Sequence, residues 1–534
     1  MKFMKLGNRP DTFYTEEATR SIVSQVPTDL DVRISTVTYH LHSFRLLPKC
    51  GLLQRLSTDC TVELNEIPGG EEAFELCAKF CYGITINLSA NNFVPAICAA
   101  KFLQMSESVD KGNLALKLEA FFNSCILEGW KDSIATLQST VRLPELSQNL
   151  GIVERCVESI VEKVLTPPVK VTWSYTYTRQ GFTKKSHQHL APKDWWTEDI
   201  SDLDVDLFRC VITAIRSAHM FPPQLIGEAL HVYACRWLLM ESSSSEDIAE
   251  NKRKILENIV SMIPADKGSV SVSFLLRLLC TANYLGASPA SRAELTRRSS
   301  LQLEEATASD LLLLLRSPSD QHRYDVDQVL EVIQSFAEET QSVQSIRKIG
   351  KLIDSYLQVV ARDINMPVLK FVSVAESLPG VARKKHDDLY KAINTYLEMH
   401  PELSKGDRKK LCRILECGKL SPEVRAHAVK NERLPLRTVV QVLFFEQRKG
   451  GGKAIEGNEE LVPRAKQQVQ DLNMMQLGPG EESSRGRRSG APESRVTAPI
   501  RMERSDAKTE QRTGRRAGRG EIEEEEVPNW SRTS

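Results

Sequence analysis

The chain has no long apolar run, no net charge, few aromatic residues and no closely paired cysteine motif. Its longest unbroken run of leucines, Leu311 to Leu315, is cut off by Arg316 and Pro318, far short of the roughly 18 apolar residues of a membrane span. The opening MKFMKLGNRPDTFY lacks the apolar core of a signal peptide. The expectation is a cytoplasmic protein, at most peripheral at the plasma membrane. A formal net charge of +0 argues against a chain-wide nucleic-acid surface, and no nucleic-acid partner is expected. There is no CxxC among the 12 cysteines, which argues against a structural zinc site and favours small buried thiols. GGGKAIEG has the wrong order for a phosphate-binding loop, and neither a GxSxG elbow nor a kinase motif set is present. No catalytic residue, cofactor or metal is expected, and the chain reads as a non-enzyme.

What is present falls into regions of different texture, consistent with about three domains at roughly 150 residues each. From Asp29 to about Gly129 the pattern is mixed. DVRISTVTYHLH alternates around Ile34, Val37, Tyr39 and Leu41, and TVELNEI around Val62 and Leu64, the period of half-buried strands. AFELCAKFCYG then puts Phe74, Cys77, Ala78 and Cys81 on one helical face with Gly83 beyond its end. NNFVPAICAAKFLQM reads as a second helix capped by Asn91 or Asn92.

Residues 130–193 read as a helical segment to about Leu165, ended by Pro167-Pro168, then a connector without helical period. From Asp194 to residue 448 nearly every segment has helical spacing. Ile226, Leu230, Tyr233, Ala234 and Trp237 share one face, as do Leu436, Val439, Val440, Leu443 and Phe444. Ser421-Pro422 has the form of a helix start. Residues 449–534 are poor in aromatics and rich in Gly, Arg, Glu and Ser, too polar to offset the entropy of folding, so disorder is expected.

DWWTEDISDLDVDLF, Asp194 to Phe208, carries six acids: Asp194, Glu198, Asp199, Asp202, Asp204 and Asp206. They read either as a metal or acid/base site or as the charged opening of a helix. Leu203, Leu207, Val211 and Ile215 follow helical spacing, and carboxylates favour the positive helix end. The helix start is the stronger reading, with Trp195 and Trp196 packing ahead of it. SHQH, Ser186 to His189, stands without further ligands and reads as a solvated loop.

DVRISTVTYHLHSFRLLPKCGLLQRL and IPGGEEAFELCAKFCYGITINLSANNFVPAICAAKFLQM together resemble a BTB/POZ domain, with its hallmarks at Asp31, Tyr39, His42, Phe74, Tyr82 and Met105. DWWTEDISDLDVDLF, LIGEALHVYACRWL, YDVDQVL, KLIDSYL, HDDLYKAINTYLEMHPEL and PLRTVVQVLFFEQ resemble the helical domain of the plant non-phototropic hypocotyl three/root phototropism family. The expected fold is multidomain. An α/β BTB/POZ domain (29–129) precedes a helical segment and connector (130–193), an all-α family domain (194–448) and the disordered tail (449–534).

The resemblance implies a BTB homodimer acting as a substrate adaptor of a cullin-3 ubiquitin ligase, its helical domain binding the client. It implies as the alternative a phosphorylation-regulated scaffold for phototropin-type receptor kinases at the plasma membrane. It also points to two phosphorylation sites. Lys384, Asp387 and Tyr390 match the family's tyrosine consensus, although Tyr390 shares helical spacing with Ile393 and Leu397 as a packed tyrosine does. Arg532-Thr533-Ser534 matches a terminal Arg-x-Ser that recruits 14-3-3 when phosphorylated, or is simply a polar chain end. Peripheral membrane contact is expected of the arginine-rich tail.

Overall fold

The computed structural model describes residues 2–56, 61–179, 190–218, 221–238, 246–313, 324–340 and 342–449. The alternating residues near the N-terminus form a hairpin. β4 (Leu30–Ile34) buries Leu30, Val32 and Ile34, and β5 (Val37–Leu41) buries Tyr39 and Leu41. The turn between them puts Ser35 at φ 52, and its N–H donates to Asn65 Oδ1 at 3.0 Å.

Three strands lie ahead of the boundary expected at Asp29: β1 (Met4–Leu6), β2 (Phe13–Glu16) and β3 (Thr19–Ile22). With β6 (Thr61–Glu63) they give a sheet in the order β2-β3-β5-β4-β6, while β1 pairs antiparallel with β7 (Ile86–Leu88). The β2–β3 and β4–β5 pairs are antiparallel, and β3–β5 and β4–β6 are parallel. The sheet therefore begins before residue 29. Its first strands are short and bury fully only Ile22, so they carry little apolar alternation to read.

Helices α1 (Ser43–Leu46), α2 (Gly51–Leu56), α3 (Gly70–Tyr82) and α4 (Ala90–Phe102) complete this α/β region. In α3, Phe74, Cys77, Ala78 and Cys81 are buried as expected, and Gly83 caps the end at φ 70. The cap of α4 is two or three residues earlier than expected. Ser89 is the N-cap, its N–H donates to Asn92 Oδ1 at 2.8 Å, and the two form a capping box. The helix also stops at Phe102, three residues short of Met105, which is nevertheless fully buried.

Four of the hallmark residues pack in two pairs, Tyr39 with Phe74 and His42 with Tyr82. Tyr39 and Phe74 meet edge to face at 4.9 Å. The buried His42 ring lies 2.9 Å from both the Tyr82 hydroxyl and the Val26 carbonyl. Asp31 lies 2.6 Å from His40 Nδ1.

The chain then becomes helical: α5 (Leu114–Phe121), α6 (Trp130–Ser139), α7 (Pro144–Asn149) and α8 (Ile152–Val164), followed by a 3-10 turn at Pro168–Lys170. Past the connector come α9 (Thr197–Ile200), α10 (Val205–Ser217), α11 (Pro223–Leu238), α12 (Glu246–Met262), α13 (Val272–Tyr284), α14 (Pro289–Leu301) and α15 (Val326–Glu339). The series ends with α16 (Val343–Val360), α17 (Val368–Glu376), α18 (Asp387–Met399), α19 (Lys405–Arg413), α20 (Pro422–Val429) and α21 (Leu436–Lys449).

Residues from Met1 to Val442 form one compact unit, and contacts cross the expected boundary at residue 129. Thr136 Oγ1 of α6, for example, donates to the Ala90 carbonyl of α4 at 3.4 Å. Gly227 in α11 is required by packing, because a Cβ there would run into the Ser269 carbonyl. Ser421 caps α20 through Val424 N–H, with Pro422 in the first turn, as expected. In α21, however, Thr438 and Val442 are the buried residues among those described, whereas Leu436 and Phe444, placed on the core face by spacing, are 48% and 54% exposed.

Candidate functional site

The acidic stretch sits where the first helices meet the second set. Trp195 and Trp196 are 1% and 0% exposed, and α10 follows with Phe208, Val211, Ile212 and Ile215 buried. The carboxylates do not converge on a common point; each has its own partners. Asp204 caps α10, accepting from the Asp206 N–H at 3.0 Å. Asp206 pairs with Lys254 at 3.0 Å and Arg209 at 3.2 Å, and Asp202 pairs with Arg236. Among the described residues no three metal-capable side chains are grouped. The residues after Asp199 thus open a helix.

Asp204→Ala should therefore cost about 1 kcal/mol, the usual worth of an N-cap, read as a lower urea midpoint. Replacing Asp202, Asp204 and Asp206 together by Asn should leave metal content unchanged by elemental analysis.

The first three acids, Asp194, Glu198 and Asp199, do something the sequence did not reveal: they fasten the connector. Asp199, 7% exposed, accepts from the Trp130 indole at 2.7 Å and from the Thr176 N–H at 3.1 Å. Lys131 stands 3.7 Å from its other oxygen and donates to Thr176 Oγ1 at 2.9 Å. Glu198 accepts from the Thr178 N–H at 2.9 Å. Arg179 bridges Asp194 at 2.6 Å and Glu228 of α11 at 2.7 Å.

The apolar half of the joint is aromatic. The Trp195 ring meets Trp130 at 4.6 Å, Trp173 at 5.5 Å and Tyr175 at 5.6 Å. Residues 171–179, expected to be a bare connector, are a strap packed between α6 and the acidic stretch. Lack of helical period hid it, although the aromatic density of WSYTY was the available signal. The histidines of SHQH lie outside the described residues.

Tyr390 is buried in α18 beside the equally buried Ile393 and Leu397. Its hydroxyl lies 2.7 Å from His427 Nδ1 and accepts from Asn431 Nδ2 at 3.1 Å. Burial pushes the phenol pKa up. Of the other consensus members, Lys384 is exposed and Asp387 accepts from the Ser421 N–H at 2.8 Å. This is the geometry of a packed tyrosine. Ser534 and the tail from residue 450 lie outside the described residues.

His386, at the start of α18, is 4% exposed, and its Nδ1 accepts from the Glu416 N–H at 3.1 Å. Burial, with Lys419 nearby, lowers its pKa from 6.5 to about 4. Between those values the unfolded chain binds a proton that the folded chain does not. Stability from this residue is therefore complete above pH 6.5 and lost as the pH falls toward 4. The urea midpoint should fall over that window, and less steeply in His386→Gln.

An α/β region joined through α6 to an all-helical domain, with the carboxylates of the acidic stretch used as fasteners, defines a two-part protein. The family model described as NPH3 family matches residues 194–424. A BTB/POZ domain-containing protein of Arabidopsis thaliana is 58% identical over 513 residues, covering 90% of this chain and 92% of that one. The phototropic-responsive NPH3 family protein NPY1 of the same organism is 40% identical over 472 residues (84% and 82% covered). Root phototropism protein 3, also from Arabidopsis thaliana, is 34% identical over 572 residues (83% and 76% covered). The chain belongs to the NPH3 family. No solved structure matches it.

Proposed function

We propose that this protein is a substrate-specific adaptor of a cullin-3 ubiquitin ligase. In this reading the N-terminal α/β region is a BTB domain that homodimerises and binds cullin-3, and the helical domain holds the client. The observation that carries it is a chain of contacts through α6: Trp130 meets Trp195 and Asp199 of the helical domain, and Thr136 of the same helix donates to Ala90 in the α/β region. An adaptor needs its two binding regions held in fixed geometry so that the client is presented in one orientation. Relatives named as BTB/POZ domain-containing proteins support the assignment of the first region, as does the mutual packing of Tyr39, Phe74, His42 and Tyr82. Exposed Val23, Val26, Phe44 and Leu56 supply apolar surface there for a partner.

The second reading is a phosphorylation-regulated signalling scaffold for a phototropin-type kinase at the plasma membrane. It is favoured by the relatives named for phototropism. It would use Ser534 for 14-3-3 and the arginine-rich tail for anionic lipid.

Affinity purification from a plant extract separates the two. Cullin-3 captured by the full chain and lost with Phe44→Asp/Leu56→Asp supports the adaptor. A receptor kinase retained by both forms, with no cullin-3, supports the scaffold. Light scattering of the full chain at micromolar concentration should give a dimer, and a strict monomer would overturn the homodimer.

A further inference from the structure

The helical domain carries a turn with unanswered positive charge. Residues 380–386 run beside α16. A Cβ on Gly350 would lie 2.8 Å from the Ala382 carbonyl, Arg383 Nε donates to Asp354 at 2.8 Å, and Gln358 donates to the Asp388 carbonyl at 3.2 Å. On the other side Lys419 donates to the Gly380 carbonyl at 3.1 Å. These contacts bring together the segments that carry Arg347 and Lys351 (α16), Lys384 and Lys385 (the turn) and Lys419.

The nearby acids are already engaged. Asp354 faces Arg383 and Glu416 pairs with Lys419 at 2.8 Å. Asp387 accepts a backbone N–H, and Asp388 pairs with Lys391 at 2.9 Å. Lys351, Lys384 and Lys385 are exposed and make no ion pair among the described residues. A second observation points the same way. Arg347 Nε and Arg383 Nη2 are buried nitrogens with no hydrogen-bond partner among the described residues, and such donors raise the local potential and favour an acceptor beside them. Val381, 51% exposed, adds an apolar contact in the middle of the turn.

We propose that this turn is a docking surface for an extended acidic peptide segment of a partner protein, rich in Asp and Glu with an apolar residue among them. Several features favour carboxylates over phosphate. The free cations at the surface are lysines, point charges without the planar fork that grips phosphate in two places. They are too few for a nucleic-acid backbone, which takes about 6–10 phosphate contacts in a salt-sensitive binder. They sit on an open turn rather than in an enclosed cradle, and Val381 gives a side chain something to rest on.

The surface goes beyond the adaptor reading and rests on it only for the identity of what carries the acidic segment. Its test uses no cullin-3, so either reading can fail alone. The probe is a fluorescent acetylated and amidated peptide of sequence EEIEEE, titrated into the full-length protein and followed by anisotropy. Zero-length carbodiimide coupling and mass spectrometry then map its contacts. The expected result is coupling concentrated on Lys351, Lys384 and Lys385, with binding that weakens as salt rises. At least a tenfold loss is expected in Lys384→Glu/Lys385→Glu, a variant confined to exposed side chains. The paired control is Lys111→Glu/Lys267→Glu, which should bind as the parent does.

Equal loss in the control pair, coupling spread evenly over exposed lysines, or no saturable binding at low salt would overturn the proposal. Displacement by millimolar inorganic phosphate at unchanged ionic strength would overturn it too, in favour of a small-anion site.

Discussion

Trp195→Ala should lower the stability of this protein by about 3–5 kcal/mol, the usual cost of emptying a large aromatic site in a core. The ring is 1% exposed and is the shared neighbour of Trp130, Trp173 and Tyr175, so no single side chain can swing in to fill the space. Urea unfolding followed by tryptophan fluorescence checks the magnitude. A second readout tests the role assigned to the joint. Residues 171–179 lose their aromatic floor in the variant, so limited proteolysis should cut there first while the parent is spared.

Asp199→Ala should act in the same direction by another route. It strands the buried Trp130 indole, a donor worth about 1–3 kcal/mol when left unmade, and the part-buried Thr176 N–H. If both variants unfold as the parent does and the strap stays protected, the joint is packing without consequence, and the fixed-geometry argument for an adaptor falls.

This joint was only half legible in the sequence. Spacing identified α10 and the burial of both tryptophans, since an apolar stripe and acids at a helix start have a local physical signature. The partners of Asp194, Glu198 and Asp199 had none, because Trp130, Thr176, Thr178 and Arg179 lie on other elements and are brought in only by the tertiary fold. The same division holds elsewhere. The strands around Val32 and Tyr39 and the helix around Phe74 followed their periods.

Helix α14 has no apolar stripe to read, because its buried residues are Leu295 with Ser299 and Ser300, small hydroxyls packed where a wheel looks for leucine. In α21 the apolar residues cover a broad arc. The neighbours took the line Leu434, Thr438 and Val442, whose middle member is polar, and left Leu436 and Phe444 outside. The Asn91 or Asn92 cap failed for a related reason. Asn92 does cap α4, but from the third helical position and toward Ser89, a reciprocal arrangement that a list of cap formers does not distinguish. Tyr390 fits both a short kinase consensus and a helical stripe in the sequence, and its hydroxyl is spent on His427 and Asn431 in the fold.

Arg383→Ala is expected to destabilise the helical domain by about 3–5 kcal/mol, because removing one member of a buried pair leaves the other charge uncompensated. Arg383 and Asp354 have side chains 8% and 6% exposed, with Nε and Oδ1 2.8 Å apart. The guanidinium also donates to the Ala375 carbonyl at 2.8 Å, tying α17 and the 380–386 turn to α16. Asp354→Ala should cost a similar amount by stranding the cation.

The double replacement Arg383→Met/Asp354→Leu decides what the pair is for. A buried ion pair exchanged for apolar side chains of similar size is often neutral or better, so the double variant should recover most of the loss in urea midpoint. If it does, the pair's value is positional: it sets the register of the turn against α16, and acidic-peptide binding at Lys384 and Lys385 should then weaken even though stability returns. Recovery of both stability and peptide binding would mean that packing alone, through Gly350 against Ala382, holds the turn in place.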